Sequence, residues 1–389
     1  MKVTKANVYI VETGSYRPVI VELLTDEGIS GAGEAAVGFG IGANASATMI
    51  YELSQAFVIG KDPFRIMDIW NDCYYDTFWG KGAGAIFYSA VSAIEMALWD
   101  IKGKAFGLPI YEMLGGKMRE NIPCYANDWC FNLKSTEELA GRAAEVVADG
   151  YSAIKLYPLS RRGIGSTVNK HIRLRDVTRE EELRCIDNVR AVRKAIGDNV
   201  ELLVDVTAEG TPSTMIRIGR AIEQYKPYYY EEPLDAFDID SYVQLKAHVE
   251  LPIATGERLY TRYGFRRLIE NRGVDIVQPD PGTTGGIFEA FKIAAMAEAH
   301  QMQVAPHNCG GPVLTAACMQ LSACLSNLAM QEVFPYRPQI HYDIVENPME
   351  KQITCGKFAV TNEPGLGVKL NHALLKQFIV ATAGEDRIG

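Results

Sequence analysis

Two hydrophobic rhythms divide the chain. In residues 1–34, KVTKANVYIVET and PVIVELLTDEG alternate or run apolar, which predicts strands, and positions 26–28 form the turn into ISGAGE. The segment AAVGFGIGANAS, 35–46, is rich in Gly and Ala and reads as a mobile loop. Helical periods follow in ATMIYELSQAFVIG, PFRIMDIWNDCYYDTF and AIFYSAVSAIEMALWDIKGKAFG, the last long and rich in good helix formers. A second glycine-rich piece, WGKGAGA, separates the last two. Residues 1–120 therefore predict an α+β domain carrying two lid loops, near 35–46 and 74–84.

From Asn121 the rhythm changes. NIPCYAND, YSAIKLYP, VELLVDVT, PYYYEEP, LPIATGE, VDIVQPD, MQVAPHN and LAMQEVF are short apolar runs, separated by helical stretches such as STEELAGRAAEVVADG and GIFEAFKIAAMAEAHQ. Strands alternating with helices predict a parallel sheet, and eight of them favour closure into a (β/α) barrel over residues 121–350. An open dinucleotide-binding sheet would want G-x-G-x-x-G directly after an early strand, and none stands there. Residues 351–389 read as turns and short strands that pack back on the first domain. One insertion, SRRGIGSTVNKHIRLRDVT at 160–178, is basic and too long for an ordinary strand-to-helix loop. It fits a solvated loop, a contact between subunits, or a flap over an anion.

Composition narrows the function. The 389 residues are 48% hydrophobic and 22% charged, enough for a large core without a disordered block. A net charge of -9 and the lack of a basic stripe argue against nucleic acid as a partner. The start, MKVTKANVYIVETG, lacks a signal-peptide pattern, and no uncharged run approaches the roughly 20 residues that span a bilayer, so a cytoplasmic protein without a membrane partner is expected. The eight cysteines show no ligand spacing and read as reduced, mostly buried thiols, with Cys309 set apart by standing two residues beyond His307.

The strand ends carry the chemistry. Asp205, Glu231 and Glu257 recur every 26 residues, each at the end of an apolar run. In a parallel barrel those ends share one mouth. Three carboxylates there repel unless a cation neutralises them, and an all-oxygen set selects a hard divalent ion, Mg2+ before others, with Mn2+ as a substitute. The plainer possibility is that each acid caps the helix that follows. In YYYEEP only one glutamate can face the mouth; we take Glu231, leaving Glu232 to cap the next loop or bind a base. Asp280 and His307 end the next two strands. A carboxylate on one imidazole nitrogen leaves the other to accept a proton. Lys155 and Tyr157, two apart on the second strand, could balance an enolate and donate a proton, and Glu332 ends the eighth strand. Together these groups suit removal of the α-proton of a small carboxylic acid.

The order of these motifs carries a likeness over almost the whole chain: the early GAGE, ALWDIKGKAFGLPIYEMLGG, the Asp205/Glu231/Glu257 ladder, QPD…GG, APH, QE and the closing PGLGV. The chain resembles the mandelate racemase-like branch of the enolase superfamily. That resemblance implies a modified (β/α)7β TIM barrel with an N-terminal α+β capping domain, and one Mg2+ on Asp205, Glu231 and Glu257. It implies an Asp280–His307 base dyad, Glu332 as partner of the substrate carboxylate, and a homo-oligomer. GERLYTRYGF and APHNCGGP look most like galactonate dehydratases, which yield a 2-keto-3-deoxy acid. Two positions depart. Those dehydratases place a histidine two residues beyond the first metal ligand, where this chain has Thr207. Two-base racemases carry K-x-K on the second strand, where this chain has Lys155 and Tyr157. Dehydration would then need His307 to serve twice or Tyr157 to act as acid; a cycloisomerase or epimerase working on a sugar-acid lactone or anhydro sugar acid is the alternative.

Overall fold

The computed structural model describes residues 1–14, 16–159 and 177–384. The N-terminal alternation folds into antiparallel strands β1 (Val3–Ile10), β2 (Val19–Thr25) and β3 (Ser30–Ala35). Gly28 makes the β2–β3 turn with φ 78°, a conformation that favours glycine. A helix begins already at Ala43, so the expected loop at 35–46 is loop only as far as Gly42. The long apolar stretch becomes the helix Ala85–Phe106, buried on nearly every side between β3 and the barrel helix Ile287–Ala299. Most of the insertion at 160–178 lies outside the described residues.

Eight parallel strands follow: β4 (Asn121–Ala126), β5 (Ala153–Leu156), β6 (Glu201–Asp205), β7 (Tyr229–Glu231), β8 (Ile253–Thr255), β9 (Ile276–Val277), β10 (Gln303–Val304) and β11 (Gln331–Val333). Each pairs with the next, β11 pairs with β4, and a parallel bridge from Val304 to Leu328, just ahead of β11, closes the ring. Helices follow the first seven strands, from Thr136–Ala148 to Pro312–Cys324. The eighth is followed only by the four-residue Gln339–Tyr342, so the barrel is (β/α)7β. The C-terminal stretch does not leave the barrel at once. Strand β12 (Lys357–Ala359) pairs antiparallel with the start of β4, and only then does β13 (Ile379–Ala383) join β1.

Two buried carboxylates join the halves. Glu34 on β3 accepts from the backbone N–H groups of Gly311 and Leu314, at the start of helix Pro312–Cys324. Glu95 accepts from Ile287 and Phe288, 2.8 and 2.9 Å away, at the start of helix Ile287–Ala299. In both cases a side chain of the N-terminal half supplies what a barrel helix lacks at its own N-terminus, since neither helix has a capping side chain of its own. Burial outweighs these hydrogen bonds and pushes both carboxyls up to about 7.

The barrel interior is a separate small core of Tyr125, Ala153, Leu203, Tyr229, Ala254, Ile276, Ala305 and Met330, one residue from each strand or its flank. It plugs the barrel below the mouth, as close packing requires.

Candidate active site at the barrel mouth

Side chains alternate along a strand, so the residue two beyond each plug residue points the same way, one layer higher. Two beyond Tyr125, Ala153, Leu203, Tyr229, Ala305 and Met330 stand Asn127, Lys155, Asp205, Glu231, His307 and Glu332. A polar ring thus lies on an apolar floor at six of the eight strands, while Glu257 and Asp280, three and four residues beyond Ala254 and Ile276, reach His307 from the segments that follow their strands.

Lys155, fully buried, is its hub. Its Nζ lies 2.6 Å from Glu332, 2.9 Å from Glu231 and 3.6 Å from Asp205. Burial alone would depress the ammonium; Glu231 and Glu332 outweigh it and hold Lys155 well above its usual value. Burial, with the neighbouring Glu231 charge, pushes Asp205 well up, and burial raises Glu231 as well. On the far side, His307 Nδ1 is 2.7 Å from Asp280 Oδ2, while Nε2 is 3.0 Å from Glu257 Oε2 and 3.7 Å from Glu332. Burial disfavours the imidazolium, but Glu257, Glu332 and Asp280 outweigh it and raise His307 well above its usual value. Against the same burial, the His307 charge holds Glu257 below the usual carboxylate range.

None of the three acids caps the helix after its strand: those N-cap positions are Thr211, Asp238 and Tyr260. Glu232 points away, with φ 43°, and engages Arg258 and the Thr255 hydroxyl. Among the described residues no three His, Cys, Asp or Glu side chains stand ready-made around a common point, since Glu257 is turned onto His307. The donor set nevertheless fits a hard divalent cation. Asp205, Glu231 and Glu257 are all carboxylates, their charges bear on one another, and Glu231 Oε2 is buried without a hydrogen-bond partner.

Tyr157 takes a hydrogen bond from Asn127 Nδ2 at 2.8 Å, and the same amide reaches Glu332 Oε1 at 2.7 Å. Glu332 Oε2 also accepts from the Asn308 backbone N–H at 2.9 Å, so this buried carboxylate is held from three sides. Asn127, Asn308 and Arg258 escaped the sequence reading. For Asn127 the signal was present: it stands two beyond an apolar strand residue, as Lys155 and Asp205 do. Cys309 pairs with the Tyr16 hydroxyl at 3.4 Å, under the N-terminal domain. All eight cysteines are free. Among the described residues no helix is long and apolar enough to cross a membrane.

A capped (β/α)7β barrel with this mouth defines a class, and sequence comparison agrees. Residues 5–115 match the mandelate racemase/muconate lactonizing enzyme N-terminal domain, and residues 138–374 the enolase C-terminal domain-like family. The chain belongs to the mandelate racemase/muconate lactonizing enzyme branch of the enolase superfamily. It is 36% identical to the D-galactonate dehydratase of Pectobacterium atrosepticum, over 96% of this chain and 94% of that one. It is 34% identical to the D-gluconate dehydratase of Thermoproteus tenax, over 92% of this chain and 69% of that protein. Among solved structures, a Mesorhizobium loti protein provisionally assigned as a dehydratase superposes with a TM-score of 0.93 at 41% identity, covering 98% of this chain and 100% of its own. An enolase-superfamily member from Salmonella Typhimurium superposes at 0.91 with 35% identity, covering 98% and 99%.

Proposed function

We propose that the protein is a Mg2+-dependent dehydratase of a sugar acid, an aldonate of the galactonate or gluconate type, yielding a 2-keto-3-deoxy acid. The observation that carries this reading is the His307 ring. Asp280 fixes Nδ1, which directs Nε2 into the mouth among the carboxylates, where a general base for an α-proton must stand. The dehydratase names of relatives that align along most of the chain support the same reaction class.

Asp205, Glu231 and Glu257 are the residues that would hold Mg2+, or Mn2+ in its place. Once bound, the cation offsets their charge and stabilises the negative charge that develops on the substrate carboxylate. The rest falls to this chain's own side chains. His307 Nε2 takes the α-proton. Lys155, charged and placed opposite, stabilises the enediolate. Asn127 and Asn308 hold Glu332, which orients the substrate carboxylate. Loss of the β-hydroxyl as water leaves an enol, which becomes the 2-keto acid by taking a proton at the β-carbon. The lid loops expected near 35–46 and 74–84, of which the second is helical as far as Asp76, would close the mouth with the exposed apolar side chains of Ile41, Phe78 and Trp79. The reading further includes a small-molecule carboxylate as the only kind of ligand besides the cation, and a homo-oligomer. Epimerisation through two opposed bases is not favoured, because Lys155 is tied to three carboxylates and Tyr157 stands where a second lysine would.

A library of aldonates, lactones and anhydro sugar acids, incubated with protein and Mg2+, tests this. An aldonate giving a 2-keto-3-deoxy product supports it. Turnover confined to lactones or anhydro acids would transfer the assignment to cycloisomerisation.

A further inference from the structure

One short segment of the N-terminal half touches both loops of the base dyad. Asp280 lies in the loop between β9 and the helix Ile287–Ala299, and His307 in the loop between β10 and the helix Pro312–Cys324. At the end of β3, the buried Glu34 carboxylate accepts from the N–H groups of Gly311 and Leu314, where the His307 loop becomes helix. Two residues on, Ala36 N–H donates to the Gly282 carbonyl in the Asp280 loop at 3.0 Å. Gly282 N–H in turn donates to Asp280 Oδ1 at 2.7 Å, and Asp280 Oδ2 meets His307 Nδ1 at 2.7 Å. The contacts thus run in a closed circuit from Glu34 through Gly311, His307, Asp280 and Gly282 back to Ala36. Both glycines are needed for the close approach. A Cβ on Gly282 would stand 2.5 Å from Ala36 Cβ, and one on Gly311 would stand 2.9 Å from Glu34 Oε1. Neither has a positive φ, so proximity and not backbone conformation asks for glycine there.

We propose that Glu34 is a positioning residue for the base: with Ala36 beside it, it sets His307 against Asp280 across the two loops. This rests on the reading of His307 as the base. Glu34 touches neither the substrate nor the reacting atoms. Its two oxygens take N–H groups that the helix cannot pair by itself, which fixes where that helix starts and where the four residues back to His307 must run. Ala36 fixes the Asp280 loop from the same strand end. The separation of the dyad is therefore set by one paired β-strand and not by two independent loops. Only the ionised carboxyl can accept from both N–H groups, since a protonated one turns a donor towards one of them. Glu95 caps the neighbouring helix in the same manner, but the Asp280 loop has other holds. Gly282 rests on Ala36, Gly285 N–H donates to Ser92 Oγ at 2.9 Å, and Trp70 Nε1 donates to the Gly285 carbonyl at 2.9 Å. Loss of Glu95 leaves Asp280 held; loss of Glu34 releases the end of the His307 loop.

Four variants test it, assayed with a sugar acid that the wild type dehydrates, at pH 8, above the value of about 7 to which burial raises Glu34. Glu34→Gln keeps the size of the side chain but offers one acceptor and turns an amide N–H towards the other backbone N–H. Glu34→Asp keeps both acceptors on a shorter arm. Gly282→Ala drives a methyl onto Ala36, and Glu95→Gln removes a cap of the same kind from the neighbouring helix. Misplacing a catalytic group by about 1 Å can cost a hundredfold, so Glu34→Gln and Gly282→Ala should lower kcat by about tenfold or more. KM and Mg2+ affinity by calorimetry should stay within a few-fold of wild type, and Glu34→Asp should recover part of the loss. Glu95→Gln should lower the urea midpoint as Glu34→Gln does and keep kcat within a few-fold. Wild-type kcat in Glu34→Gln, an equal loss of kcat in Glu95→Gln, or a loss of kcat matched by weaker substrate and Mg2+ binding would overturn the positioning role. Should Glu34→Gln not fold, Gly282→Ala carries the same prediction and the same overturning results. If the wild type turns over no sugar acid, the dehydratase reading fails, and the crystal structure of Glu34→Gln decides the positioning role separately. A His307–Asp280 pair pulled out of hydrogen-bond distance supports it, and an unmoved pair overturns it.

Discussion

Glu257 Oε2 sits 3.0 Å from His307 Nε2, on the opposite side of the ring from Asp280. The nitrogen assigned to the α-proton is thus occupied by a carboxylate assigned to the cation. On the proposed roles base and metal ligand restrain each other, and a cation held by Glu257 would free His307 Nε2.

That relationship predicts how a base variant binds metal. His307→Asn removes the partner that competes for Glu257. Titration calorimetry should find Mg2+ bound at least as tightly as by wild type. Binding weakened tenfold or more would make His307 part of the cation site instead.

Lys155, itself fully buried, neutralises a buried carboxylate cluster. Lys155→Met leaves Glu231, Glu332 and Asp205 uncompensated, and breaking such a buried pair costs about 3–5 kcal/mol. Urea unfolding should show that loss, and millimolar Mg2+ should restore part of it. A variant as stable as wild type without metal would mean that these acids are already protonated.

Stability should depend on pH through the two inter-half carboxylates. Glu34 and Glu95 sit at about 7 in the folded protein, against 4.5 as a reference. Between those values the folded state binds more protons than the unfolded one, so stability falls as pH rises from about 4.5 through 7. Denaturation midpoints measured at pH 5.5 and 8 should differ less in the double variant Glu34→Gln, Glu95→Gln than in wild type. An unchanged difference would trace the slope to other groups.

The Tyr157 hydroxyl accepts a hydrogen bond from Asn127 Nδ2 and shares that amide with Glu332. A supporting place of this kind predicts that Tyr157→Phe lowers kcat less than tenfold, with α-proton exchange intact. A loss of dehydration near a hundredfold with exchange preserved would make Tyr157 the acid.

Much of this architecture was legible because barrels repeat. The 26-residue spacing of Asp205, Glu231 and Glu257 is one strand-helix unit written in sequence, and strand parity puts Lys155 and His307 on the same layer. What was hidden depends on contacts between distant segments. Nothing in GAGE says that Glu34 will meet the start of the helix at Pro312, some 280 residues on. The left-handed backbone of Thr207 was equally hidden, since threonine rarely adopts it. The pull of β12 on β4 before the chain returns to β1 also follows from packing at the barrel floor rather than from local pattern.

The central claim is that His307 removes an α-proton, and deuterium uptake measures that step directly. A sugar acid turned over by the wild type is incubated in D2O with Mg2+ and either wild type or His307→Asn, and the α-proton is followed by NMR. The account predicts exchange or elimination with wild type and none above background with the variant. Undiminished exchange with His307→Asn would contradict it.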